Sequence, residues 1–319
     1  MQHFTSLADV DDLYGLVAQA AKYKSSPRND ETLGYGKTLG LIFFNPSLRT
    51  RLSTQIAGRN LGMEVIVMNI GKEGWQLEFG DGAIMDGGKA EHIKDAAAVM
   101  GSYCDIIGVR TFATLEDKTA DYDEQVLRAF QKYAGVPIVS LESATRHPLQ
   151  SLADVLTIME HKKVERPKVV LSWAPHPKAL PQAVANSFSE WVKATECDFV
   201  ITHPAGMDLA AEFFSGVEVS YDQESALKDA DFVYVKNWAS YRDYGKVLQT
   251  ANDWTLTADK MALTNQAYFM HCLPVRRNVV VTDEVIDSQL SLVTPLAENR
   301  IYSAQAVLAD LLKSRQNPS

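Results

Sequence analysis

Residues 39–51 read Leu39-Gly40-Leu41-Ile42-Phe43-Phe44, then Asn45-Pro46-Ser47, then Leu48-Arg49-Thr50-Arg51, and this stretch decides the fold. The first six residues form an unbroken apolar run of strand length. Asn-Pro-Ser is turn chemistry, and from Leu48 to Gly62 apolar residues recur at helical spacing (Leu48, Leu52, Ile56, Ala57). A strand passing through a tight turn into a helix is the repeating step of an α/β fold. The same turn gathers backbone N–H groups, the positive helix end, two hydroxyls and an arginine fork around one point, which suits a phosphate or another compact oxyanion. Taken alone, the run serves equally well as a serine N-cap with surface arginines.

Outward from this stretch, strand-like runs recur at 64–68, 104–109 and 137–140, and again at 168–173, 198–202, 231–235 and 267–270. Helical spacing fills the intervals at 91–102, 121–134, 148–161 and 182–194. The alternation predicts an α/β protein of two domains, each a mainly parallel sheet with helices on both faces. The charged joint Glu160-His161-Lys162-Lys163-Val164-Glu165-Arg166-Pro167 places a boundary just before it. A last amphipathic helix, about 299–315 (Ile301, Ala304, Val307, Leu308, Leu311, Leu312), suits either half. Two segments break the rhythm, a glycine-rich stretch at 70–90 and the proline-dense loop 174–181. Long irregular segments in a compact α/β protein are usually site loops.

Composition narrows the function classes. A net charge of -9 disfavours nucleic acid or an anionic membrane as a general partner, while a small anion held by a few local arginines remains compatible. Three cysteines, Cys104, Cys197 and Cys272, lack any CxxC spacing, which argues against a disulfide framework or a zinc cage. Met1 leads directly into polar Gln2-His3, and no apolar run reaches membrane-spanning length, so the chain reads as cytoplasmic.

Three further clusters carry chemistry. Glu142 precedes Arg146-His147-Pro148-Leu149-Gln150, where Pro148 fits a first helical position with His147 as cap and Gln150 one turn in. Met270-His271-Cys272-Leu273-Pro274-Val275-Arg276-Arg277 follows a strand, at the strand end where open α/β sheets keep their sites. His271, as chain neighbour of Cys272, is badly placed to act as its base. Glu298-Asn299-Arg300 opens the last helix. Singly, the first two read as a histidine cap with a solvated glutamine and a small buried thiol, and the third means little.

Together and in this order, Ser-x-Arg-Thr-Arg, His-Pro-x-Gln, His-Cys-Leu-Pro and Glu-Asn-Arg resemble the aspartate/ornithine transcarbamylases over nearly the whole chain. The resemblance implies a carbamoyl-phosphate-binding domain at 1–150, joined by the C-terminal helix 300–319, and an amino-acid-binding domain at 151–299. It implies transfer of a carbamoyl group to an amine without metal or organic cofactor, and a homotrimer with active sites shared between subunits. Ser47, Leu48, Arg49 and Thr50 would hold the phosphate. Arg110, His147 and Gln150 would grip phosphate or carbamoyl oxygen, and Arg300 would reach the carbonyl. The Cys272 sulfur and Leu273 carbonyl would orient the amine. Trp75, in Gly74-Trp75-Gln76-Leu77-Glu78, looks like the residue that crosses to a neighbouring subunit, the other reading being a core anchor. Arg51 fits a structural ion pair. These roles agree with the chemistry, because donors aimed at the tetrahedral oxyanion stabilise charge that appears only in the transition state.

The amine acceptor follows from a departure. Where plain ornithine enzymes carry an aspartate and a Ser-Met-Gly loop, this chain has Lys236-Asn237-Trp238-Ala239-Ser240-Tyr241. A lysine there repels a free α-ammonium but suits the carboxylate of an N-acylated ornithine, with Arg276 and Glu142 nearby. The pattern resembles the N-acetylornithine and N-succinylornithine transcarbamylases, which implies a knotted loop in the second domain. Acetyl enzymes carry a glutamate after Met-Asp-Gly. In Met85-Asp86-Gly87-Gly88-Lys89-Ala90-Glu91-His92 the matching position is Ala90, which favours a succinyl tail, with His176 and Lys178 for its terminal carboxylate. A one-residue shift onto Glu91 would restore the acetyl reading. Outside catalysis, a non-catalytic anion-binding protein is the alternative class. A nucleotide-dependent dehydrogenase is set aside, since no G-x-G-x-x-G follows the first strand.

Overall fold

The computed structural model describes residues 1–248 and 252–316. The chain divides into two compact units, Met1–Leu149 with Arg300–Ser319, and Gln150–Asn299. The segment 300–319 expected to join the first unit ends in residues 317–319, which lie outside the described residues.

The first unit is built on a parallel sheet of β1 (Thr38–Phe43), β2 (Glu64–Asn69), β5 (Ile106–Arg110) and β6 (Ile138–Glu142), in the order β2-β1-β5-β6. β5 and β6 are buried throughout, and β1 from its second residue onward; β1 and β5 are central strands covered on both faces, and an isolated bridge from Phe4 to Val139 covers the outer side of β6. β2 lies at the edge and alternates between exposed and half-buried residues. Two short strands, β3 (Leu77–Glu78) and β4 (Glu91–His92), pair in parallel across the neck of the 70–92 segment.

The helix after β1 runs Arg49–Asn60. It stops where Gly62 takes φ +79° and the N–H groups of Gly62 and Met63 close back on the carbonyls of Arg59 and Gly58, each at 3.0 Å. Its buried face differs from the apolar stripe read in the sequence. Thr50, Ser53, Thr54, Ala57 and Gly58 point inward, while Leu48, Leu52 and Ile56 are 66%, 51% and 41% exposed. Small and hydroxyl side chains let the helix lie close to the sheet, and the large apolar ones are turned outward.

The single helix expected at 121–134 is two, Lys118–Tyr122 and Gln125–Tyr133, because Glu124 between them takes a left-handed conformation. The last helix begins earlier than expected, running Val293–Gln316, so Glu298-Asn299-Arg300 lie inside it rather than opening it. Its residues Ala304, Val307, Leu308, Leu311 and Leu312 are all buried.

The second unit carries β7 (Lys168–Trp173), β8 (Asp198–Thr202), β9 (Glu218–Ser220), β10 (Phe232–Lys236) and β11 (Tyr268–Met270), in the order β11-β10-β7-β8-β9 and all parallel. The edge strand β9 is only three residues long, too short to show a period in the sequence. Its apolar core includes Val170, Val200, Val233, Val235, Phe269 and Val281. Among the described residues no helix is long and apolar enough to cross a membrane.

Candidate active site

In the first unit the site is built at the carboxyl ends of β1, β5 and β6, where open α/β sheets leave a crevice. Asn45 anchors the turn after β1, its Oδ1 accepting from the N–H of Phe112 at 2.7 Å. This fixes the start of the helix Arg49–Asn60, whose first-turn N–H groups lack intrahelical acceptors. Leu48 stands at the helix cap, without any side-chain cap, and Ser47 is half-buried beside it. The serine N-cap reading therefore does not hold. Arg51 points to the second strand, its Nη1 lying 3.4 Å from Asn69 Oδ1.

Thr50 is buried and accepts at Oγ1 from two arginines, Arg110 Nη1 at 3.2 Å and Arg300 Nη2. Arg110 is the last residue of β5, and a shift in register there sets it opposite Glu142 instead of Leu141. That bulge brings Arg110 Nη1 to 2.7 Å from Glu142 Oε2. The guanidinium also lies 4.5 Å from the ring centroid of Phe112. The pair is buried, yet the arginine Nε has no hydrogen-bond partner. Glu142 thus belongs to this first-unit cluster.

His147 completes the group. Its Nε2 lies 3.3 Å from Arg300 Nη2 and 3.6 Å from Glu142 Oε2. A guanidinium has no acceptor, so the nitrogen facing it must carry the lone pair, which puts the proton of the neutral ring on Nδ1. Burial, then the charges of Arg300 and Arg110, hold the imidazole well below its usual pKa, so it is neutral at physiological pH. Nδ1 is buried without a partner, an unspent donor beside two arginines. The arrangement can hold an anion and polarise a carbonyl oxygen. It offers no general base of ordinary strength.

The loop that carries His147 depends on a residue the sequence did not single out. The Glu124 carboxylate accepts from Ser143 Oγ (2.6 Å), Ala144 N (3.2 Å), Thr145 N (2.8 Å) and Thr145 Oγ1 (2.5 Å). Glu124 lies in a polar stretch with nothing around it to mark a loop anchor. Its signal exists only once β6 and the preceding helices are placed together.

Trp75 and Ala90 lie in the 70–92 segment. The ring is 59% exposed, which rules out the core-anchor reading within one chain, and its Nε1 donates to Glu91 Oε2 at 2.7 Å.

The remaining expected residues are in the second unit. Gln150 donates through Nε2 to Asp154 at 2.9 Å, and its Oε1 is buried without a partner. Cys272 is buried, and Leu273 takes φ +54°, a region that disfavours a β-carbon. The Leu273 N–H donates to His271 Nδ1 at 2.8 Å, so that nitrogen is engaged in its own turn.

A cavity of about 890 Å³ opens between the 174–181 loop and the segments after β10 and β11. His176, Lys178, Lys246, Arg276 and Arg277 line it, and among the described residues its lining includes no aspartate or glutamate. Arg276 Nε donates to His176 Nε2 at 3.1 Å. Burial lowers the His176 pKa, and the charges of Lys236, Arg276 and Lys178 lower it further, reporting a positive potential at that ring. Asn237 Nδ2 donates to Ala174 O and Trp173 Nε1 to Trp238 O, tying the two loops that frame the cavity (2.7 and 2.9 Å). Among the described residues no group of three or more His, Cys, Asp or Glu side chains is arranged to hold a metal ion.

Two family models match the chain in succession. Residues 2–160 match the family model for the carbamoyl-P binding domain of aspartate/ornithine carbamoyltransferase, and residues 181–311 match that for its Asp/Orn binding domain. An N-succinylornithine carbamoyltransferase of Bacteroides thetaiotaomicron is 54% identical over 315 residues, covering 98% of this chain and 99% of that protein. An N-acetylornithine carbamoyltransferase of Xanthomonas axonopodis pv. citri is 38% identical over 334 residues, covering 98% and 96%. Among solved structures, an N-acetyl-L-ornithine transcarbamylase with one glutamate replaced by alanine, complexed with carbamyl phosphate and N-succinyl-L-norvaline, superposes with a TM-score of 0.92 at 37% identity, covering 98% of this chain and 100% of that one. An acetylornithine transcarbamylase complexed with acetylcitrulline gives 0.91 at 37%, covering 98% and 99%.

Proposed function

Because the chain belongs to the aspartate/ornithine carbamoyltransferase family, and is a carbamoyltransferase, we propose that it carries the carbamoyl group of carbamoyl phosphate to the δ-amine of N-succinyl-L-ornithine. The products are N-succinyl-L-citrulline and phosphate, in arginine biosynthesis. Ser47, Leu48, Arg49 and Thr50 hold the phosphate, with Arg110, Gln150 and, from a neighbouring subunit, Trp75. His147 and Arg300 donate to the carbamoyl oxygen. The amine nitrogen attacks the carbamoyl carbon, the carbon–oxygen bond to phosphate breaks, and the departing phosphate takes the proton from the nitrogen. A neutral His147 with its proton on Nδ1 fits the part of a donor to the oxyanion. Cys272 and Leu273 orient the amine.

The observation that carries the choice of amine is the cationic cavity of the second unit, which suits a carboxylate-bearing substrate and repels a free ammonium. Lys236 and Arg276 take the α-carboxylate, and His176 and Lys178 the terminal carboxylate of the tail. Ala90 leaves the tail room. The mutant relative that binds N-succinyl-L-norvaline after loss of one glutamate supports a small residue at that place.

The chain works as a cytoplasmic homotrimer with shared sites. Supporting this are the exposed apolar residues Leu48, Leu52 and Ile56 on one helix and Ile66 and Met68 on the edge strand β2, a face that a second copy would cover.

The test is carbamoyl transfer from carbamoyl phosphate by purified protein, with N-succinylornithine, N-acetylornithine and ornithine offered separately. Succinyl-selective product is expected. Acetyl-selective product would overturn the reading of Ala90, and turnover of free ornithine would overturn that of Lys236.

A further inference from the structure

The cavity of the second unit has a wall that is seated from behind by groups outside its lining. Trp173, the last residue of β7, and Trp238, two residues after β10, both line it and both are buried. Their N–H groups are engaged by main-chain carbonyls, Trp173 Nε1 by Trp238 O at 2.9 Å and Trp238 Nε1 by Met207 O at 2.7 Å. The two rings therefore offer aromatic surface and no donor. β7 and β10 pair Trp173 with Lys236, which places this wall beside the proposed α-carboxylate residue. Trp254 packs nearly edge-on against Trp173, with ring centroids 6.3 Å apart at 79°. Two side chains fix Trp254 through the main chain. Lys260 Nζ donates to Asp253 O, to Thr255 O at 3.0 Å and to Gln223 Oε1 at 2.6 Å. Gln223 Nε2 donates to Trp254 O at 3.1 Å and to the hydroxyl of Ser172, the residue before Trp173, at 2.8 Å. The carbonyls of 253, 254 and 255 are thus taken in succession by one ammonium and one amide, and every N–H of both groups is engaged.

We propose that Lys260 and Gln223 are positioning residues for the amine acceptor: their clamp on the carbonyls of 253–255 seats Trp254 against Trp173 and so fixes the aromatic wall beside Lys236. This rests on the reading of the cavity as the acyl-ornithine site. Neither side chain lines the cavity, and both act through the Trp254 ring. Close-packed interiors pass a displacement on instead of absorbing it, so a loosened Trp254 shifts Trp173 and the carboxylate contact next to it. Loss of the clamp therefore weakens acceptor binding. Carbamoyl phosphate, held by residues 47–50 and Arg110 of the first unit in the proposed function, keeps its affinity.

The experiment measures KM for N-succinylornithine, KM for carbamoyl phosphate and kcat in wild type, Lys260→Met, Gln223→Leu, Trp254→Leu, the double variant Lys260→Met/Trp254→Leu, and Arg276→Ala. Lys260→Met and Gln223→Leu, which break the clamp from either end, are each expected to raise the acceptor KM about five- to tenfold and to leave the carbamoyl-phosphate KM within about twofold. A merely structural loss lowers the amount of active enzyme, and with it kcat, without singling out one substrate. The double variant is expected to raise the acceptor KM by less than the product of the single effects, because both changes act on one ring. If Arg276→Ala raises the acceptor KM but neither clamp variant does, the clamp alone is overturned. Single effects that multiply in the double variant, or an equal rise in both KM values, overturn it as well. An acceptor KM unmoved even in Arg276→Ala overturns the reading of the cavity, and the clamp with it.

Discussion

At the scale of single residues, the first unit concentrates positive charge around one neutral imidazole. Arg110, Arg300 and Thr50 are buried together, and the carboxylate of Glu142 is engaged by Arg110. His147 must fold neutral, which links it to pH. Its pKa in the folded protein lies well below the reference value of 6.5, so below that pH the unfolded chain binds a proton that the folded one refuses. Stability from this residue is therefore present above about pH 6.5 and lost as pH falls through that range. We expect the apparent urea midpoint of the wild type to drop between pH 7.5 and 5.5 by more than that of His147→Gln. The difference should approach about 1 kcal/mol. Equal drops in both proteins would show that other groups carry the acid sensitivity.

At the scale of elements, two departures from the sequence reading share one cause. The helix Arg49–Asn60 turns its hydroxyl face to the sheet because Thr50 must reach two buried arginines, and this sends Leu52 and Ile56 outward. The break at Glu124 likewise serves a tertiary need. A left-handed residue there, φ +52°, stands where the carboxylate can gather four donors from residues 143–145. Glu124→Ala should leave those donors without their acceptor, costing about 2–3 kcal/mol. It should also speed amide hydrogen exchange at residues 143–147. Glu124→Gln keeps one acceptor oxygen and should recover part of the loss. Unchanged exchange in the alanine variant would remove Glu124 from the positioning of His147.

At the scale of the whole molecule, the outward apolar stripe bears on assembly. Leu48, Leu52 and Ile56 on the helix and Ile66 and Met68 on β2 are large apolar side chains left exposed, the kind of surface that a second copy would cover. Burying one such leucine or isoleucine side chain contributes about 1.5–3 kcal/mol. Leu52→Asp with Ile56→Asp should therefore dissociate the proposed trimer, seen as a fall to monomer mass in sedimentation equilibrium. The melting of the isolated subunit should change little, since both side chains are already exposed within one chain. A trimer that survives both charges would move the interface elsewhere.

Much of this protein was legible in the linear chain. Apolar runs such as 39–44 and 169–171 mark central parallel strands because both faces of those strands are covered, and the length of the intervals between them admits helices. The Ser-x-Arg-Thr-Arg run could be read for anion chemistry because a strand, its turn and the following helix end are local in sequence. The three-residue strand β9 could not be read, being too short to show a period. Nor could the company of Glu142, which depends on the bulge that sets it opposite Arg110. Glu124 and the Trp75–Glu91 bond were equally hidden, since each joins residues at least 16 positions apart. Local order follows from the periodicity of apolar residues and from turn chemistry, which the sequence carries in itself. Which polar groups meet, and so which charges are spent and which stay available, follows only from the packing of distant segments.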